Sequence, residues 1–165
     1  MTRTLILMRH AKSSWGDPFA EDHDRPLNNR GRKSAPAIGA WLQSNDWLPD
    51  DVICSSAKRT RETWDRLGLS TPEIRFTPAL YLTGPDEMFA ELATATGNTV
   101  LMLGHNPGIA AFANRLVRNQ PDHSRFYDYP TCATTVIRFD IPDWNTLEWH
   151  QGEVLGFTIP RELLE

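Results

Sequence analysis

The chain has 165 residues, of which 40% are hydrophobic and 23% charged, with a formal net charge of −4. Such a length fits one domain, 1–165, whose core needs no disulfide or metal to hold it. The acidic balance excludes a general nucleic-acid binder, which relies on surplus positive charge, and six Trp, seven Phe and three Tyr exclude a disordered chain.

Thr4 to Met8 is a short apolar run with the character of a buried strand. Its four consecutive apolar residues, Leu5 to Met8, are too few for a secretory h-region of about 7–15 or a membrane span of about 20. Gly16 to Asn29 reads as a polar loop. Gly31 to Trp47 has helical periodicity, with Ala35, Ile38, Trp41 and Leu42 on one face. After the break at Pro49-Asp50-Asp51, Val52-Ile53-Cys54 is a second buried strand. Ala57 to Leu67 predicts a helix ended by Gly68, and Ile74 to Leu80 alternates like a strand. Asp86 to Thr96 predicts a helix ended by Gly97. Thr99 to Leu103 is a third apolar strand, and Pro107 to Val117 a helix with proline in its first turn. Cys132 to Phe139 and Leu147 to Val154 alternate like strands around a turn at Asp143-Trp144-Asn145.

Strands that alternate with helices imply an α/β three-layer sandwich: a mostly parallel sheet with helices on both faces. Cys54 and Cys132 form no CxxC pair and sit in apolar runs. They read as reduced core thiols of a cytoplasmic protein with no membrane partner.

Ligands of such sheets bind beyond the carboxyl ends of the strands. After the first strand comes Arg9-His10-Ala11-Lys12-Ser13, after the second Ser55-Ser56-Ala57-Lys58-Arg59, and after Thr99–Leu103 comes Gly104-His105-Asn106-Pro107-Gly108. Three strand ends thus deliver Arg–His, Arg and His to one edge. Two of these segments also open helices, whose free N–H groups favour anions. Taken singly, each segment is better read as a surface pair or a turn; together they suit phosphoryl transfer. A phosphoryl group spreads negative charge over three oxygens, and its transfer is mostly positioning and electrostatic stabilisation. Guanidiniums clamp such oxygens bidentately. A neutral imidazole can attack phosphorus, and a protonated one can stabilise the developing charge.

Leu7-Met8-Arg9-His10-Ala11-Lys12 resembles the signature of the histidine phosphatase superfamily, whose commonest form has glycine where Ala11 stands. Ser55 to Thr63 is similar to that family's second arginine segment, in a register that selects Arg59 over Arg61, and Gly104-His105-Asn106 matches its second histidine. Arg9 to Trp15, Asp24-Arg25-Pro26-Leu27-Asn28 and Arg30-Gly31 look like the small SixA-type phosphohistidine phosphatases. The likeness runs from the first strand to about Thr134.

This resemblance implies a phosphoglycerate mutase-like fold and a two-step phosphatase without cofactor or metal. His10 would attack phosphorus and become a phosphohistidine, which water then hydrolyses. Arg9, Arg59 and His105 would hold the phosphoryl oxygens, aided by the Asn106 backbone N–H. Neutral His10 is expected to donate from its other ring nitrogen to a backbone carbonyl. Arg25 and Ser13 are candidates for substrate binding; the bland alternatives are a loop arginine paired with Asp22 or Asp24, and a backbone cap. Asp17, Glu21, Asp22 and Asp24 read as a solvated loop rather than a metal site. A general acid is the missing piece. Segment 60–104 is already filled by a helix, a strand and another helix, and Asp86 is the best-placed carboxylate. An alkoxide leaving group gains about 10²–10⁴-fold from such an acid, whereas a phosphoramidate needs it less.

The expected partner is therefore a phosphorylated protein or a small phosphorylated substrate. A small-molecule phosphomonoesterase and a non-catalytic phosphate-binding module are the alternatives. Trp15, Phe19, Tyr81, Tyr127 and Tyr129 are candidates for exposed aromatics near the pocket that shape partner docking, with core packing the default reading.

Overall fold

A computed structural model describes residues 1–164. Strands β1 (Arg3–Arg9), β2 (Asp51–Ser55), β3 (Ile74–Thr77), β4 (Thr99–Gly104), β5 (Thr134–Phe139) and β6 (Glu153–Thr158) form one sheet in the order β3-β2-β4-β1-β5-β6. The four strands from β3 to β1 are mutually parallel, while β5 and β6 run antiparallel at the far edge. Helices α1 (Asn29–Ser44), α2 (Lys58–Arg66), α3 (Pro85–Leu92), α4 (Gly108–Leu116) and α5 (Pro160–Leu164) complete the chain.

The continuous apolar runs of β1, β2 and β4 are explained by two cores, because successive side chains point to opposite faces. Leu5, Leu7, Ile53, Val100 and Met102 pack with Met88 and Leu92 of α3 and Ile109 and Phe112 of α4. Ile6, Met8, Val52, Cys54, Leu101 and Leu103 pack with Ala35, Ile38 and Leu42 of α1 and Trp64 of α2. The apolar residues of β1, β2 and β4 are fully buried, because helices cover both faces, as expected from the sequence. Both cysteines are buried and free, and burial pushes each thiol up to about 12.

Several boundaries differ from expectation, for local reasons. The helix read as Asp86–Thr96 stops at Leu92. Asp51 accepts from the backbone of Thr96, and Asp50 from Asn98 and Thr99, which draws this segment into a turn before β4. The strand read as Ile74–Leu80 ends at Thr77, whose hydroxyl accepts from Ala79 N–H and starts a short 3₁₀ turn. The last strand is displaced from Leu147–Val154 to Glu153–Thr158. Trp144 and Leu147 instead sink into the α3/α4 core from a loop, and the Trp144 indole donates to Gly97 O at 2.7 Å.

One glycine positions the site directly. Gly31, in the first turn of α1, lies against the Lys12 backbone so closely that a Cβ would sit 2.2 Å from the Lys12 carbonyl oxygen. Asn28 caps the same turn by accepting from Gly31 N–H at 2.9 Å, and its own N–H donates to Lys12 O at 3.0 Å. The helix start is thereby fastened to the loop that follows His10.

Candidate active site

β1 and β4 are adjacent, parallel and in register, with Arg9 opposite Gly104. Their next residues are therefore neighbours: His10 N–H donates to Gly104 O at 3.1 Å, and the imidazoles of His10 and His105 stand 5.2 Å apart, centroid to centroid. β2 lies on the other side of β4, so its exit into α2 brings Arg59 to the same edge. These groups line a cavity of about 210 Å³ together with Ser13, Arg25 and Asn106. Lys12, Trp15, Leu82 and Thr131 complete its lining, and no Asp or Glu is among them.

His10 is buried, and its Nδ1–H donates to the Ala11 carbonyl at 2.7 Å. A carbonyl only accepts, so this bond fixes the tautomer and leaves the lone pair on Nε2. Burial holds the imidazole well below its usual range, and the nearby charges of Arg9 and Arg59 add to that. Around it, Ala11 N–H donates to the Thr63 hydroxyl at 3.0 Å, and Cys132 N–H to the His10 carbonyl at 2.9 Å.

His105 Nε2 shares a hydrogen bond with the Ser55 hydroxyl at 2.8 Å. Burial first, then Arg59, lowers it to about 3. In the free protein this imidazole is therefore neutral; a proton would be costly beside guanidiniums with no anion bound.

Arg9 Nη1 donates to the Tyr129 carbonyl at 3.1 Å. Arg59 is held twice by Asp22, through the carbonyl at 2.7 Å and the carboxylate at 3.1 Å. Asp22 also accepts from the Tyr81 hydroxyl, chiefly through which its carboxyl is lowered below the ordinary range. Arg25 forms the loop ion pair of its bland reading and also borders the cavity. Its Nε lies 3.3 Å from Asp22, within ion-pair distance although off the direction of a hydrogen bond. Its guanidinium stacks on Trp15, 3.5 Å from the ring centroid.

Despite these contacts, Arg9 Nε, Arg25 Nη1, Arg59 Nε and His105 Nδ1 are buried with no hydrogen-bond partner. Buried donors are almost always satisfied. The four residues that carry these nitrogens all line the one cavity, and the guanidiniums among them suit a small oxyanion.

Ser13 is buried in the lining. The Asn106 side chain is spent on the fold: it donates to the carbonyls of Asp128 and Tyr129 and accepts from Ala110 N–H. Asp86 lies outside the lining. Its side chain is 81% exposed and pairs with Arg115 of α4 at 3.4 Å, where it faces the packing of α3 on α4. Of the aromatic residues whose default reading was core packing, Tyr129 alone is fully buried, while Trp15, Phe19 and Tyr127 are each at least 78% exposed. Tyr81 stands at the site, edge-on to His105 and His23.

Sequence reasoning named Asp22 only as a loop partner of Arg25 and missed its hold on Arg59, its bond from Tyr81, and the bond between Ser55 and His105. A carboxylate three residues before Arg25 was the available signal for Asp22. Among the described residues no cluster of three or more His, Cys, Asp or Glu is arranged to hold a metal, and no helix is long and apolar enough to cross a membrane.

A sheet whose strand ends assemble two arginines and two histidines around an oxyanion-sized cavity is the arrangement of one protein class. Residues 5–81 match the model of the histidine phosphatase superfamily, branch 1, and the chain belongs to that superfamily. Within it, the likeness is to SixA. A structure described as "putative phosphohistidine phosphatase SixA" from Nakamurella multipartitia is 34% identical, with a TM-score of 0.82 over 97% of each chain. The protein histidine phosphatase SixA complexed with tungstate shares the fold at TM-score 0.79 and 20% identity, over 97% of this chain and 99% of that one. An uncharacterized protein of Mycobacterium leprae is 34% identical over 93% of this chain and all of its own length.

Proposed function

We propose that this phosphatase removes the phosphoryl group from phosphohistidine on a protein, through a phosphoenzyme at His10. Nε2 of His10 attacks phosphorus in line. The new N–P bond forms as the substrate's N–P bond breaks, and the departing imidazole takes up a proton. Water then attacks the His10 phosphoramidate, releasing inorganic phosphate and restoring His10. Arg9, Arg59 and His105 hold the equatorial oxygens through both steps, with Arg25 and Ser13 at the edge of the cradle. The charge work falls to guanidiniums and an imidazole, so the scheme includes no metal or cofactor.

One observation carries the choice of substrate: no carboxylate lines the cavity that holds the orphan donors. An alkyl phosphate ester needs an acid to protonate its leaving oxygen. An imidazole leaving group, far less basic than an alkoxide and readily protonated on its other nitrogen near neutral pH, does not depend on one to the same degree.

The test compares turnover of a phosphohistidine peptide with that of aryl and alkyl phosphate esters, in chelator-containing buffer. The expected result is preference for the P–N bond, with an acid-labile phosphoenzyme on rapid quenching that His10→Ala fails to form. Faster turnover of alkyl esters, loss of activity to the chelator, or labelling of His10→Ala overturns the reading.

A further inference from the structure

A second cavity, of about 250 Å³, adjoins the first and shares Lys12 and Thr131 with it. Three other cationic side chains line it besides Lys12: Arg30 at the start of α1, Arg125 in the loop before β5, and Arg161 in α5. Among the described residues no carboxylate is in the lining, although the whole chain carries a net charge of −4. Arg125 pairs with Asp128 at 3.1 Å. Among the described residues no ion pair engages Lys12 or Arg30. Lys12 and Arg30 thus bring positive charge to the cavity that no ion pair among the described residues offsets, and an anion seated between them would offset it.

Two observations favour an acidic protein surface as the occupant. The cations Lys12, Arg30 and Arg161 are exposed at the surface, where they meet a docked surface rather than a swallowed ligand. The same edge of the molecule carries Trp15, Leu82 and Tyr127, all exposed; Trp15 and Leu82 line the first cavity, and Tyr127 is next to the Asp128 that pairs with Arg125. A folded partner covers both the rings and the cations, and a small phosphate ester covers neither. We propose that the Lys12/Arg30/Arg125/Arg161 cavity docks acidic side chains that flank the phosphorylated histidine of a protein substrate. This rests on the reading of the first cavity given under Proposed function.

The experiment uses two phosphohistidine peptides that differ only in their flanks, Asp/Glu in one and Asn/Gln in the other, with phosphoramidate as a P–N substrate that has no flanks. At low salt the acidic peptide should be turned over with kcat/KM about tenfold higher, the effect of a few screened ion pairs acting together. Arg30→Glu should collapse that ratio towards one while leaving phosphoramidate turnover unchanged, and added salt should shrink it in the unmodified protein. Equal kcat/KM for the two peptides overturns the inference, as does an equal loss on peptide and phosphoramidate in Arg30→Glu. Calorimetric binding of both peptides to His10→Ala, with and without Arg30→Glu, reads the same preference independently of turnover. If that preference persists while no P–N bond is cleaved, the proposed reaction fails and the docking cavity stands; if binding is indifferent to the flanks, the cavity fails whatever the reaction.

Discussion

Lowering the pH from 7 to 5 should cost the folded protein about 2 kcal/mol through His105 alone. Burial and Arg59 hold this imidazole down to about 3, against about 6.5 in an unfolded chain. Below pH 6.5 the unfolded chain takes up a proton that the native site refuses, so the balance moves towards unfolding as the pH falls. The loss is near zero at pH 7, reaches about 2 kcal/mol at pH 5, and levels off only as the pH passes through about 3. His10, depressed by its own burial, acts in the same direction. The assay is urea unfolding at both pH values for the unmodified protein and His105→Asn, which retains a polar side chain and loses the titrating group. The variant's loss between pH 7 and 5 should be smaller by about 2 kcal/mol. Equal losses in the two proteins refute the reasoning, as does an imidazole signal of His105 titrating near 6.5 in the folded state.

Asp22→Asn removes a negative charge from Arg59 and Arg25 but keeps the carbonyl contact to Arg59. Phosphate should then inhibit more strongly, by up to about fivefold, the effect of a half-exposed ion pair, while kcat falls because the guanidiniums are less firmly aimed; steady-state inhibition measures both, and unchanged constants would remove Asp22 from the site. Trp15→Ala takes away the face on which Arg25 stacks and should raise KM several-fold, in line with a cation–π contact of about 0.5–2 kcal/mol. An unaltered KM would mean that the stacking does not set Arg25. Gly31→Ala drives a methyl group into the Lys12 carbonyl; thermal melting should report a loss of about 1–3 kcal/mol, as for overpacked sites, and a melting temperature equal to that of the unmodified protein would contradict the close approach.

What could be read from the sequence divides along a physical line. His10 and His105 were legible because each follows an apolar run that can only be a buried strand, and parallel strands in register put such residues side by side. One strand further along, the segment after β2 was placed at the same edge for the same reason, and the resemblance to the family's second arginine segment selected Arg59 in it over Arg61. Asp22 was not, because its meaning depends on Arg59 and Tyr81, which are 37 and 59 residues away, and an acidic loop looks the same whether solvated or paired. The default reading of core packing failed for Trp15 and Tyr127 because an aromatic ring in a sequence speaks for burial in general; the stacking of Arg25 on Trp15 exists only once the loop has folded over the cavity. The last strand slipped because the spacing of Leu147 and Trp149 imitates strand alternation, whereas both side chains enter the core from irregular backbone.

The two histidines pose one electrostatic problem with opposite answers. In the proposed cycle His10 must be neutral to attack, while His105 serves best as a cation once charge develops on the phosphoryl oxygens. Standing 5.2 Å apart among guanidiniums, both are neutral in the free protein, and the same burial is the leading cause for each. An incoming phosphoryl group changes the sign of the field between them. It offsets the arginine charges that depress His105, so a proton there becomes favourable. His10 is held neutral chiefly by its burial, with Arg9 and Arg59 adding to it against the opposing pull of the Ala11 hydrogen bond, and in the proposed cycle its Nε2 lone pair becomes the bond to phosphorus. A single anion thus separates the protonation states of two adjacent imidazoles, and anion binding near neutral pH should be accompanied by proton uptake at His105 rather than at His10.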